Sequence, residues 1–184
     1  MNWAAATILS WIALGLDVGL ASALQLGDWG VRPAFTIIVL AYVSCHAPRQ
    51  EALWLSLVLG VVMDLTHESF SPASMGTVTI VGPHALGCVA ASMLVMTLRG
   101  SIMRSSLLAM AFLGGVSVLA VHLVVVSMIE ARSWYDGSVA IHAGAGLWRG
   151  VLIAVYTSVV ALVLSPLLGA LGPVLSTGHG TRWR

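Results

Sequence analysis

The chain has 184 residues, of which 59% are hydrophobic and only 8% charged, with a net charge of +1 and arginine as its one cationic residue type. An average soluble domain is roughly a quarter charged, so there is too little polar side chain here to cover a soluble core, too much apolar residue for a disordered chain, and no basic surface for nucleic acid. What remains is an all-α integral membrane protein, because the apolar residues come in long runs.

A spanning helix takes about 20 residues, so six would use about 120 and leave roughly 64 for connections and tails. That leaves no room for a soluble domain. The chain is read as one polytopic membrane domain, residues 1–184, whose function sits in the bundle or its short loops.

The first apolar segment runs from about Ala5 to Leu24. Ala21-Ser22-Ala23 has the small-x-small form of a signal-peptide cleavage site, but no Arg or Lys precedes the run and Asp17 interrupts it, which favours a retained helix. The second segment, about Pro33 to His46, is short: fourteen residues reach only about 21 Å. Pro48 stops it in the polar turn Ala47-Pro48-Arg49-Gln50, and the third, about Glu51 to Leu65, should lie antiparallel beside it.

The fourth segment falls within Gly76 to Leu98 and has two readings. One is a single kinked helix from Gly76. The other, which is favoured, is a dipping loop up to Gly82 with the helix starting at Pro83, since Pro suits a first helical turn. Irregular backbone at membrane depth must be covered by protein. The fifth segment runs from about Ser106 to Ile129 and the sixth from about Trp148 to Val174.

Arginine placement orients the bundle. With six spans, Arg49, Arg99, Arg104, Arg182 and Arg184 share the side of both termini, and Arg32, Arg132 and Arg149 lie opposite, together with Asp28, Glu68 and Asp136. Both termini are therefore expected in the cytoplasm. Trp3, Trp54 and Trp183 then fall toward the inner interface, and Trp29, Trp134, Tyr135 and Trp148 toward the outer.

Each ionisable residue inside an apolar run needs an account. Asp17, Asp64, Glu130 and Arg149 fall at similar depth in the outer half. The plain reading makes Asp64, Glu130 and Arg149 wetted helix ends; the sharper one is a cluster in which Arg149 or Arg32 neutralises Asp17 and Asp64. His122, mid-way along the fifth span, reads as a buried neutral histidine with one hydrogen-bond partner. His84 and Cys88 share a helix face, but the residues that could complete a zinc site, Cys45 and His46, fall toward the other side, so no metal site is expected. Small residues recur four apart at Gly15 and Gly19, Ala111 and Gly115, and Gly146 and Gly150, which lets helices approach closely; packing within the chain is the default reading and a face for another membrane protein the alternative. No nucleophile elbow, zinc-protease motif or phosphate-binding loop is present, so no catalytic residue and no cofactor are expected.

The order of features resembles the MreD family of bacterial rod shape-determining membrane proteins. The resemblance covers about residues 12 to 100 and rests on Leu16-Asp17-Val18, Arg32-Pro33 opening the second helix, the Pro48-Arg49 turn, Gly60-Val61-Val62-Met63-Asp64-Leu65 ending the third, and Gly82-Pro83-His84-Ala85-Leu86-Gly87 opening the fourth. The stretch from Glu68 to Gly82 is longer than the family pattern, and nothing from about Leu107 onward is matched.

The resemblance implies six spans in the bacterial inner membrane and a non-enzymatic scaffold of the cell-wall elongation machinery. Its partners would be an MreC-like bitopic protein, the MreB filament system, a RodA-type polymerase and a penicillin-binding transpeptidase. The residues expected to carry structure or partner contact are Asp17, Arg32, Pro33, Gly60, Asp64, His84, Glu130 and Arg149.

The runner-up is a substrate-binding S-component of an energy-coupling-factor transporter, similar in size and span number. Such proteins commonly carry an Ala-x-x-x-Ala pair on the first helix, which is missing between Ala4 and Ala23; the outward polar set keeps the reading open. A third reading, a small membrane enzyme, would need a Ser, His or Glu whose single loss stops a reaction.

Overall fold

The structure is a computed structural model that describes residues 2–27, 30–66, 69–71, 76–78, 81–100, 107–134 and 143–176. Expectations that fall on Asp28, Trp29, Glu68, Arg104, Tyr135, Asp136, Arg182, Trp183 and Arg184 lie outside these residues.

Among the described residues there are six helices: α1 (Trp3–Ala23), α2 (Phe35–His46), α3 (Arg49–Thr66), α4 (Pro83–Leu98), α5 (Leu107–Ser133) and α6 (Ala143–Ser176). Between α3 and α4, β1 (Ser69–Ser71) pairs antiparallel with β2 (Gly76–Val78), Phe70 opposite Thr77. The start of the fourth segment is therefore strand, and its helix begins at Pro83, as the second reading held.

Among the described residues, three helices are long and apolar enough to cross a membrane: α1 over Trp3–Leu20, α5 over Leu108–Ser133 and α6 over Gly144–Leu171. Their outward faces are apolar and uncovered, with Trp11 64% exposed on α1 and Val163 70% exposed on α6. Apolar surface on that scale marks contact with lipid or protein rather than water, and the chain is a membrane protein. Six spans are expected from the sequence, and these three helices have the length and apolarity of a span. At twelve and sixteen residues, α2 and α4 are shorter apolar helices, and α3 carries Arg49, Glu51 and Asp64.

The shortest helix sits at the centre. Every residue of α2 from Phe35 to Cys45 is buried, and α2 touches α1, α3, α4, α5 and α6. A helix that is apolar all round belongs in a core. At 1.5 Å per residue α2 is about 18 Å long, well short of a hydrocarbon layer of about 30 Å. Enclosure by its neighbours is what makes that length workable. Around it, α3, α4, α5 and α6 pack in sequence order.

Close packing is bought with small residues at defined points. A Cβ on Gly60 would collide with the backbone of His84 and Ala85, so α3 and α4 touch backbone to backbone there. A Cβ on Gly87 would sit 3.2 Å from Val121 of α5, and one on Gly150 2.9 Å from the His122 Cβ. Gly115 and Gly146 also face neighbours, Ser158 and Val126, so these small-residue positions serve packing within the chain. Gly15 and Gly19 differ: nothing lies within 4 Å of either Cβ position.

Pro166 falls inside α6, where it cannot donate to the Leu162 carbonyl. The Ser165 hydroxyl donates to that carbonyl instead, at 2.9 Å, so the helix continues with the orphaned acceptor satisfied.

Candidate functional site

The two short helices begin in the same way. Neither α2 nor α4 has a side-chain cap from its own N-cap residue, Ala34 or Gly82. The first amides of a helix have no partner within it and need an acceptor from elsewhere. In each case a carboxylate from the preceding helix supplies it.

Asp17 of α1 accepts from the Phe35 N–H at 2.7 Å on one oxygen and from the Thr36 N–H at 2.9 Å on the other. Thr157 of α6 accepts from the Ala34 N–H at 3.2 Å. Pro33 just upstream has no N–H to satisfy. Three elements thus meet at the start of α2, and the negative charge sits at the positive end of its dipole.

Asp64 of α3 does the same for α4. It accepts from the amides of Gly82, His84 and Ala85 at 2.8, 3.0 and 3.2 Å, and from His84 Nδ1 at 2.8 Å. The last contact fixes the His84 tautomer, since a carboxylate only accepts. Asp64 is 1% exposed. Gly82 has φ +131°, a conformation that side chains rarely adopt, and this turns its N–H toward the carboxylate.

These contacts revise the expected cluster. Asp64 is held by three amides and a histidine, not by an arginine. Arg149 instead donates to the Gly30 carbonyl at 2.9 Å, and Arg32 has no hydrogen-bond or ion-pair partner among the described residues. Glu130 stands apart, with a buried Oε2 that has no hydrogen-bond partner among the described residues.

At the opposite end of α2, Arg99 donates to the carbonyls of Ser44 and Ala47 at 3.2 and 3.0 Å. A cation at a helix C-terminus complements its dipole. Near the same end, the hydroxyls of Ser44 and Ser92 bond at 2.8 Å, tying α2 to α4 in the dry interior. Arg99 was expected only to orient the bundle; its second role depends on a contact 52 residues away, which no local pattern announces.

A cavity of about 330 Å³ opens where the C-terminal ends of α1, α3 and α5 meet the N-terminal ends of α2, α4 and α6. Asp17, Arg32, Pro33, His84 and Arg149 line it, so five of the eight candidate residues share one space. Gly60, Asp64 and Glu130 do not line it; the first two stand behind it as packing and capping residues. His122 joins the lining. It donates from Nδ1 to the Val118 carbonyl at 3.1 Å, as the plain reading of a buried histidine expects.

The cavity owes its rim to a tight loop. Leu26 pairs with Val31, and Gly27 and Gly30 take φ +58° and +65° between them. A Cβ on Gly30 would stand 2.7 Å from the end of the Arg149 side chain, which would have to move, and the positive φ itself favours glycine there. No group of three or more His, Cys, Asp or Glu residues suited to a metal is found among the described residues. Cys45 and His46 lie at the far end of α2, the His46 ring 4.4 Å from that of Tyr42.

Comparison of the chain with protein-family models, with curated proteins and with solved structures gave no match in any of the three.

Proposed function

We propose that this protein is a non-enzymatic, MreD-like scaffold of the cell-wall elongation machinery, seated in a bacterial inner membrane with both termini cytoplasmic. The observation that supports this reading is the use made of the motif residues. Asp17, Arg32 and Pro33 gather at the start of α2, and Gly60, Asp64, Gly82 and His84 at the start of α4. A motif whose parts build helix junctions belongs to a protein whose product is a shape. Under this reading the protein works by presenting a rigid surface to partners, foremost an MreC-like bitopic protein, with the MreB filament system, a RodA-type polymerase and a penicillin-binding transpeptidase in the same assembly. The uncovered α1 face around Gly15 and Gly19 suits the single helix of a bitopic partner, because small residues let a second helix approach.

The test is association. The tagged chain, extracted from its host membrane in mild detergent, is expected to carry an MreC-like protein through purification, and its depletion to stop lateral wall growth. Normal wall growth after depletion would overturn the proposal.

A further inference from the structure

The cavity at the paired helix junctions has a chemical character of its own. Its lining holds two arginines and one aspartate, a formal excess of one positive charge. Asp17 already spends one oxygen on each of two α2 amides, so its charge is largely committed to the helix end. Arg149 uses one guanidinium nitrogen on Gly30, and Arg32 uses none on described residues. An arginine carries five N–H donors, so most of the donor capacity of this pair is unspent. The rest of the wall is apolar, including Ile37, Val125 and Ile153. The volume lies in the range of small-molecule sites, which begin at about 300 Å³.

We propose that this cavity binds a phosphate-bearing amphiphile, with the phosphate between Arg32 and Arg149 and its apolar part against Ile37, Val125 and Ile153. Guanidinium forks match phosphate oxygens in geometry as well as charge. His122 adds an acceptor: with Nδ1–H spent on Val118, the neutral ring leaves Nε2 to receive a hydroxyl of the ligand. The same chemistry is offered by an anionic phospholipid headgroup and by a soluble alkyl phosphate. The site goes beyond the scaffold reading and does not depend on it.

The full chain is purified in nonionic detergent and titrated with hexyl phosphate by calorimetry, with hexanol as control. In parallel it is placed in phosphatidylcholine nanodiscs with and without phosphatidylglycerol, and retained lipid is read by native mass spectrometry. Saturable binding of hexyl phosphate but no retained phosphatidylglycerol identifies a soluble ligand; selective retention of phosphatidylglycerol identifies a headgroup. Either supports the site. Arg32→Gln should weaken the binding about tenfold, the effect of one lost charge-assisted bond. Val125→Phe, which fills the cavity without touching charge, should do the same and replaces Arg32→Gln if that variant fails to fold. No saturable binding of either phosphate probe, or unchanged binding in the folded variant, overturns the proposal. The assay contains no partner protein, so its outcome is separate from that of co-purification.

Discussion

Asp17 and Arg99 never touch, yet they hold the two ends of one helix. Asp17 accepts from the first amides of α2, and Arg99 donates to its last carbonyls. Each charge faces the helix end of opposite partial charge. Every residue from Phe35 to Cys45 is buried, so the helix held between these two contacts lies inside the bundle.

Asp17→Ala should destabilise the protein by about 2 to 3 kcal/mol, the scale of losing charge-assisted bonds to buried amides. Asp17→Asn should cost less, because Oδ1 and Oδ2 serve different amides and asparagine keeps one acceptor oxygen. Thermal unfolding in detergent, read by circular dichroism, orders wild type above Asn above Ala. Equal stability of all three would remove Asp17 from its capping role.

Asp64→Ala should be worse than Asp17→Ala. It strands three amides and a histidine in a site that is 1% exposed, at a cost of at least about 3 kcal/mol. Steady-state abundance in membranes is the practical readout, and a substitution harmless to abundance would contradict the geometry.

These two carboxylates show what the sequence could and could not say. Asp17 and Asp64 stood out because charge inside an apolar run is rare, and the Pro83 start of α4 followed from a local rule. Neither reading of Asp64 fits: at 1% exposure it is no wetted helix end, and no arginine neutralises it. The acceptors' true partners are main-chain amides 18 to 21 residues downstream, and amides carry no letter in a sequence. The arginine near them, Arg149, went to a carbonyl for the same reason. Six helices were legible from hydrophobic runs, whereas the enclosure of α2 was not: its apolar stretch looks like any other until its neighbours are placed around it.

Glycine substitutions should divide sharply. Gly60→Ala drives a methyl group into the α4 backbone and should cost about 1 to 3 kcal/mol, the range for overpacking. Gly15→Ala meets open space and should stabilise α1 by about 0.5 to 1 kcal/mol through helix propensity. Melting temperatures of the two single variants, measured side by side, check both signs at once.

Gly15→Leu should block close approach to α1, and a Cβ at that position meets no atom of another element within 4 Å. Under the scaffold proposal it should release the MreC-like partner during purification at unchanged abundance. Retention of the partner at wild-type yield would place the contact elsewhere on the bundle.

Arg99→Gln removes the charge from the end of α2 and weakens two bonds to its carbonyls. A loss of about 1 to 2 kcal/mol is expected. Hydrogen exchange should show it first at the residues around Ala47, where those carbonyls end the helix.

The distance along the chain between Ala47 and Arg99 has a meaning for biogenesis. The carbonyl that ends α2 is emitted from the ribosome 52 residues before the guanidinium that satisfies it. A helix of about 18 Å cannot bridge the hydrocarbon layer alone, and Thr157, which accepts from the Ala34 N–H, comes 123 residues after that amide. The enclosure of α2 is therefore complete only once α4, α5 and α6 have all been made.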